Sequence, residues 1–262
     1  MDPGDESPRL IVLGSGTSHG VPMIGCDCAV CTSADPRDRR TRASVAVDYG
    51  DCVFLVDTAP ELRLQCIANA IRRVDAVLFT HHHADHVAGL DDLRRFNQLM
   101  DRSIDCYATQ RTADVIRLWF RYAFHEDPDY PSHKPELRLV PIGDGPVTLL
   151  GKRVVPIPLW HGRLPVLGFR FGRIAYCTDC SAIPESSEEL LRGLDVLILD
   201  GLRRCPHPTH FNLDQAIEAA SRIGARRTFF THIAHALPHG ETNAELPDGM
   251  ALAYDGQVIT AV

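Results

Sequence analysis

Several features are missing from this chain, and each absence closes a class of function. No uninterrupted apolar run is long enough to cross a bilayer, which takes about 20 residues as a helix, so membrane-spanning roles are not expected. The first residues, Met1-Asp2-Pro3-Gly4-Asp5-Glu6-Ser7, are acidic and lack an apolar core, so they do not read as a signal peptide. Excess positive charge is lacking as well. The formal net charge is −7 and the pI is near 6.0, which argues against non-specific binding to a nucleic-acid backbone and leaves room only for a local basic site. The nine cysteines are an odd number. Without an export signal they read as thiols or metal ligands in a reducing cytoplasm, not as a disulfide framework. No short-period repeat is visible, although a strand–helix alternation occurs twice. The turn Gly14-Ser15-Gly16-Thr17-Ser18-His19-Gly20, after the buried strand Leu10–Leu13, lacks the full G-x-G-x-x-G and the helix that a dinucleotide loop needs. Its glycines are expected to let the backbone turn closely under a site. What remains is ordinary globular composition, 45% hydrophobic and 23% charged, and a length that suits one large domain over residues 1–262.

What is present centres on Thr80-His81-His82-His83-Ala84-Asp85-His86, directly after the apolar run Ala76–Phe79, which reads as a short buried strand. Imidazoles two apart, His81 and His83, can converge on one ion. The adjacent Asp85 and His86 can face another. Imidazole with carboxylate suits zinc, manganese, iron or nickel. A solvated polar loop is the bland alternative. A second metal signal lies in Cys26-Asp27-Cys28-Ala29-Val30-Cys31, where three thiols within six residues need a fourth ligand from elsewhere.

The pattern T-H-x-H-x-D-H resembles the signature of the metallo-β-lactamase superfamily of hydrolases, with His82 at its variable position. The resemblance runs from Gly14 to His235. It implies an α/β fold, the four-layer αβ/βα sandwich of two mixed sheets with outer helices. By position it matches His161, in Trp160-His161-Gly162, to the third motif. Asp179 matches the bridging aspartate and His232 the last ligand. Asp57, in Asp57-Thr58-Ala59-Pro60, matches an aspartate that supports the metal loop from behind. The implied assignment puts His81, His83 and His161 on one ion and Asp85, His86 and His232 on the second, with Asp179 between them. The cysteine segment is similar to a zinc-binding insertion, here at about 21–42, in the phosphoribosyl cyclic phosphodiesterase branch. There His235 would complete a structural zinc site with Cys26, Cys28 and Cys31. His210 and Asn212 match a histidine-bearing motif of the same branch, while His19 stands where glutamine is expected.

Other stretches carry weaker signals. Arg37, Arg39, Arg40 and Arg42 could meet a substrate phosphate, though such runs are more often solvated. Arg94, Arg95 and Asn97 face either the cleft or solvent, and Tyr130, His133 and Lys134 lie on a polar, Pro-rich loop that could cover the cleft. Helices are expected from Pro60 through Ile71, over Val87–Leu99, over 110–124 with Val115, Leu118, Trp119 and Tyr122 as the apolar face, over Glu185–Arg192 and over Leu213–Ile223. A second half is expected to begin near Leu137. Cys177 and Cys180 form a C-x-x-C around Asp179 and are read as packing residues.

The resemblance thus implies a dinuclear-metal phosphodiesterase. Paired ions (Mn, Zn, Ni or Fe) would lower the pKa of a water from ~15.7 towards ~7, with Asp85, Asp179 and His210 as catalytic residues and His210 as the general acid. The implied partner is a small phosphodiester, cyclic ones included. A homodimer is what the resemblance suggests, and neither membrane nor nucleic acid is expected. Rivals of the same fold are an acyl hydrolase, a ribonuclease Z-like nuclease, for which no long Gly/Pro-rich arm is present, and a non-catalytic carrier in cofactor biosynthesis.

Overall fold

The computed structural model describes residues 8–125 and 132–261. The segment Met1–Ser7 and Tyr130, named above, lie outside the described residues. The chain begins with an antiparallel meander, β1 (Arg9–Gly14), β2 (Ser44–Asp48) and β3 (Val53–Val56). Three parallel strands extend it, β4 (Ala76–Leu78), β5 (Ile104–Ala108) and β6 (Leu137–Pro141). A second sheet starts antiparallel with β7 (Val147–Leu149), β8 (Lys152–His161), β9 (Leu164–Phe171) and β10 (Ile174–Cys177). It continues in parallel through β11 (Val196–Asp200), β12 (Arg227–Thr231) and β13 (Met250–Leu252). The last strand, β14 (Val258–Thr260), returns to pair with β1, so each sheet has seven strands.

Strand alternation explains the layers. In β1, Leu10 and Val12 point into a central apolar layer, while Ile11 and Leu13 point outward. In β11, Val196 and Ile198 join the same central layer, and Leu197 and Leu199 face the other way. Both faces of each sheet are therefore apolar, and helices cover the outer ones. On the first sheet these are α1 (Leu62–Ala68), α2 (Ala84–Val87), α3 (Leu93–Met100), α4 (Gln110–Trp119) and α5 (Arg121–Phe124). On the second half lie α6 (Glu185–Leu190), α7 (Leu213–Ile223) and α8 (His239–Glu245). The four-layer αβ/βα sandwich expected from the signature is the observed fold.

Local expectations need correcting in four places. Leu137–Pro141 belongs to the first sheet, paired in parallel with β5, so the second sheet begins at Val147. Pairing is non-local, and periodicity cannot show it. The helix expected over Val87–Leu99 is broken. A 3₁₀ turn, Leu90–Asp92, precedes α3, and Gly89 packs so tightly that a Cβ there would lie 2.1 Å from the Ala59 carbonyl oxygen. The 110–124 helix divides at Phe120, and its buried face is Thr112, Ala113 and Ile116. Leu118 and Trp119 are instead 73% and 52% exposed. The helix lies on the sheet by its small residues, and side-chain size misidentified the face. Finally, α1 starts at Leu62 and ends at Ala68, which leaves Ile71 beyond it.

Candidate metal centres

The functional side chains gather where parallel strands end. β4 runs into Thr80–His86 and β3 into Asp57, while β10, β11 and β12 run into Asp179, Asp200 and His232. Registers such as Cys177↔Leu199 and Asp200↔Thr231 bring the last three ends together. Asp57, Asp179 and His232 all adopt left-handed backbone, at φ 66°, 53° and 58°. Such φ values in non-glycine residues are uncommon and concentrate at functional sites.

Four overlapping donor groups form there; two join His210 to His161 and Asp179 and to Asp200 and His232, and the other two are the sets expected from the signature. His81, His83 and His161 each offer a ring nitrogen within 4.8 Å of the others, and so do Asp85, His86, Asp179 and His232 with nitrogen or oxygen. Asp179 faces both sets. Its Oδ2 lies 3.9 Å from His81 Nε2 and 3.3 Å from His232 Nε2, and its Oδ1 lies 3.2 Å from His86 Nε2. His82, set aside above, enters neither set.

Supporting groups aim these donors. Asp57 is fully buried and accepts from the Thr80 N–H, the Thr80 hydroxyl and His86 Nδ1 at 2.8, 2.8 and 2.7 Å. His86 Nε2 is thereby turned into the site, where it has no protein hydrogen-bond partner. His161 Nδ1 donates to the Thr209 carbonyl at 2.7 Å, which likewise directs Nε2 inward. Both ring nitrogens of His232 are buried without a hydrogen bond, Nε2 facing the Asp179 and Asp85 carboxylates. Buried imidazole nitrogens without partners are costly in an apolar protein and natural in one that binds a cation.

The electrostatics agree. Burial depresses the pKa of His81 and His83, and takes His161 to about 4, so these rings are neutral and offer lone pairs. Burial opposes ionisation of Asp85 and Asp179, yet the surrounding imidazoles outweigh it and hold both carboxyls below their usual range. The same carboxylates raise His86 against its burial. The carboxylates thus call for positive charge at the second donor set. The residues fit a pair of divalent ions.

The cysteine segment fits a third. His235 Nδ1 lies 3.3, 3.3 and 3.7 Å from the sulfurs of Cys26, Cys28 and Cys31. A tetrahedral zinc with its usual Zn–S and Zn–N bonds places such atoms about 3.5 Å apart. The Cys31 N–H donates to Cys28 Sγ and, as the leading cause, lowers that thiol to about 6, which favours the thiolate a metal needs.

Other expected residues have different roles. Arg40 is buried. It pairs with Asp38 and donates to the carbonyls of Ala234 and Leu237 at 3.1 and 2.7 Å, clamping the turn that carries His235. Arg37 pairs with Asp35, and Arg42 with Glu61. Of these, Arg40 is the one enclosed in the fold; among the described residues Arg39 makes no ion pair. Arg94 pairs with Asp91, and Asn97 bonds the Arg102 and Glu136 carbonyls. Asn212 caps α7, accepting from Gln215 N at 2.9 Å. His133 is exposed, and Lys134 donates to the His125 carbonyl. Cys177 and Cys180 are free, buried core residues. Gly14 and Gly16 let the turn approach the 40–42 segment, where a Cβ would lie within 3 Å of its carbonyls. The Ser15 carbonyl also accepts from Ile233 N, beside His232.

Sequence reading missed Asp200 and Asp255. Asp200 Oδ2 lies 2.7 Å from His210 Nδ1, and the His210 ring lies 4.6 Å from both His161 and His232. Asp255 accepts from Ser15 and Thr41, main chain and hydroxyl alike, joining the Gly-rich turn to the insertion. Asp200 had a signal, since it ends a buried strand as Asp57 does. Asp255 had none.

Fold and site together define a metal-dependent hydrolase. The chain belongs to the β-lactamase superfamily, whose domain model matches residues 53–233. A crystal structure described as a new diphosphatase from the PhnP family is 45% identical, with a TM-score of 0.89 and 96% of each chain covered. Zinc-bound PqqB from Methylobacterium extorquens shares the fold at 22% identity and TM-score 0.79, over 96% of this chain and 99% of that one. An octanoyltransferase of Porphyromonas gingivalis (strain ATCC BAA-308 / W83) is 41% identical over 95% of this chain, which spans 50% of that protein's length.

Proposed function

We propose that the chain hydrolyses a small phosphodiester, cyclic ones included. His81, His83 and His161 would hold one divalent ion and Asp85, His86 and His232 the other, with Asp179 shared; Cys26, Cys28, Cys31 and His235 would hold a structural zinc. When bound, the paired ions (Mn, Zn, Ni or Fe by donor chemistry) acidify a water and offset phosphoryl charge.

The observation that carries the reading is His210. Its Nδ1 is held by Asp200 at 2.7 Å, which leaves Nε2 as the end available to the substrate. The buried Asp200 carboxylate fixes the ring's tautomer. Protonated His210 can then give its Nε2 proton to the leaving oxygen as the P–O bond breaks, a contribution of about 10²–10⁴-fold. An alkoxide leaving group needs that proton. The 45% identity to a diphosphatase supports chemistry at phosphorus. The octanoyltransferase relative is twice as long, so its activity can reside in the unmatched half.

The test is turnover of bis-p-nitrophenyl phosphate and a 2′,3′-cyclic phosphate by protein reconstituted with Mn, Ni or Zn, beside a thioester and lactone panel. Metal-dependent diester hydrolysis, lost in Asp179→Ala, is the expected result. Acyl turnover without diester turnover overturns the reading.

A further inference from the structure

The chain crosses between its two sheets twice, from β6 to β7 and from β13 to β14. Asp255 sits in the second crossing, the turn 253–257, whose main chain is fixed on both sides. Ala253 N donates to the Phe230 carbonyl of β12 at 2.8 Å, and Gly256 N donates to the Val12 carbonyl of β1 at 2.8 Å. The turn is thus tied to the strand that leads into His232 and to the strand that leads into the Gly-rich turn.

The Asp255 side chain fills the roughly four acceptor positions of a carboxylate. Oδ1 accepts from the Ser15 N–H and hydroxyl, both at 2.8 Å, and Oδ2 from the Thr41 N–H and hydroxyl at 2.8 and 2.6 Å. Two paths lead on from these residues to metal ligands. On the first, the Ser15 carbonyl accepts from Ile233 N at 2.9 Å, and Thr17 N donates to the Ile233 carbonyl at 3.2 Å. Ile233 directly follows His232, whose left-handed backbone (φ 58°) persists only where its surroundings hold it. On the second, Thr41 directly follows Arg40, whose guanidinium holds the Ala234 and Leu237 carbonyls, before and after His235. Gly16 N donates to the Thr41 carbonyl at 2.8 Å and joins the two paths. Asp255 itself belongs to no donor set. One carboxylate therefore stands behind a ligand of each of two separate centres.

We propose that Asp255 is a positioning residue shared by both centres. Through Ser15 and Ile233 it sets His232 at the active-site ions, and through Thr41 and Arg40 it sets His235 at the cysteine centre. This role rests on the metal assignment above and not on the phosphodiester chemistry. Asp75 supplies the comparison. It is buried, accepts from the Val53 N–H at 2.8 Å and pairs with Arg73 and Arg102, yet it precedes β4, at the end of that strand away from the metal loop.

The test titrates Co²⁺, in competition with a chelator, into metal-stripped wild type, Asp255→Asn, Ser15→Ala, Thr41→Val and Asp75→Asn. The thiolate-to-cobalt charge-transfer band reports the cysteine centre. The remaining bound cobalt, counted by elemental analysis, reports the active site. In Asp255→Asn an NH₂ group faces either the Ser15 or the Thr41 donors, and affinity at both centres should fall about 10–100-fold. Ser15→Ala should weaken chiefly the active site and Thr41→Val chiefly the cysteine centre, each by at least about threefold. Asp75→Asn should lower Tm and leave both affinities as in wild type. A lowered Tm in Asp255→Asn with wild-type affinity at both centres overturns the role, and so does an equal loss of affinity in Asp75→Asn. If Asp255→Asn does not fold, wild-type affinity in both Ser15→Ala and Thr41→Val overturns it. A wild type that binds no cobalt refutes the metal assignment and this role with it. Cobalt binding without diester turnover refutes only the proposed reaction, and the affinities of the variants then decide the role alone.

Discussion

The two halves of the sandwich supply the site in opposite ways. The first half concentrates its donors in one run, His81 to His86, with Asp57 behind it at the end of β3. The second half spreads single residues along the chain: His161 at the end of β8, Asp179 after β10, Asp200 at the end of β11 and His232 after β12. A contiguous set needs only one strand and one turn to form. A distributed set exists only when four strand ends line up, and the parallel registers of β10, β11 and β12 are what align three of them. The second half is therefore the one in which packing and chemistry are most tightly coupled.

The largest effect is expected at the residue that joins the halves. Asp179→Ala should reduce diester turnover to background and lower the active-site metal content, measured by elemental analysis of the reconstituted protein. Retention of full activity would sever the halves as a functional unit. Next comes His210→Ala. Turnover of a diester with a poor leaving group should fall about 10²–10⁴-fold, while a p-nitrophenyl ester, whose leaving group needs no proton, should be far less affected. Equal losses on both esters would remove the acid role. In the first half, Asp57→Asn should weaken metal affinity by about 10–100-fold, read by competition with a chelator, because the amide no longer holds His86 Nδ1–H as a carboxylate does. An unchanged affinity would mean that the contiguous run orients itself. The smallest effect is expected on α4. Leu118→Ala should change stability by no more than about 0.5 kcal/mol, whereas Ile116→Ala should cost about 2–5 kcal/mol, both measured by urea denaturation.

The contrast between the halves also separates what could be read in the chain from what could not. His81, His83, Asp85 and His86 announce themselves by spacing behind an apolar run. The three cysteines do the same. His161, Asp179 and His232 are lone residues at strand ends, and only likeness to a superfamily signature singled them out. Asp200 ends a buried strand, yet its partner His210 lies ten residues away across a loop, and no local pattern pairs them. The Arg37–Arg42 run reads as a solvated face or, less often, a phosphate site because charge in a sequence carries no burial. In the fold Arg40 is enclosed and spends its donors on Asp38 and two carbonyls. Leu118 and Trp119 looked like core for the complementary reason, since an apolar side chain does not reveal which face of its helix meets the sheet.

By itself, the sequence determined the metal loop, the cysteine knuckle and most strands, because each depends on contacts within a few residues (alternation, a turn, ligands closely spaced), while the fold class followed from likeness to the superfamily signature. Tertiary structure alone decided that Leu137–Pro141 joins the first sheet, that Asp255 ties the Gly-rich turn to the insertion, that Asp200 holds His210, and that Asp179 faces both donor sets. Each of these joins residues far apart along the chain, and their distances are set by strand register and sheet packing, which no local pattern encodes.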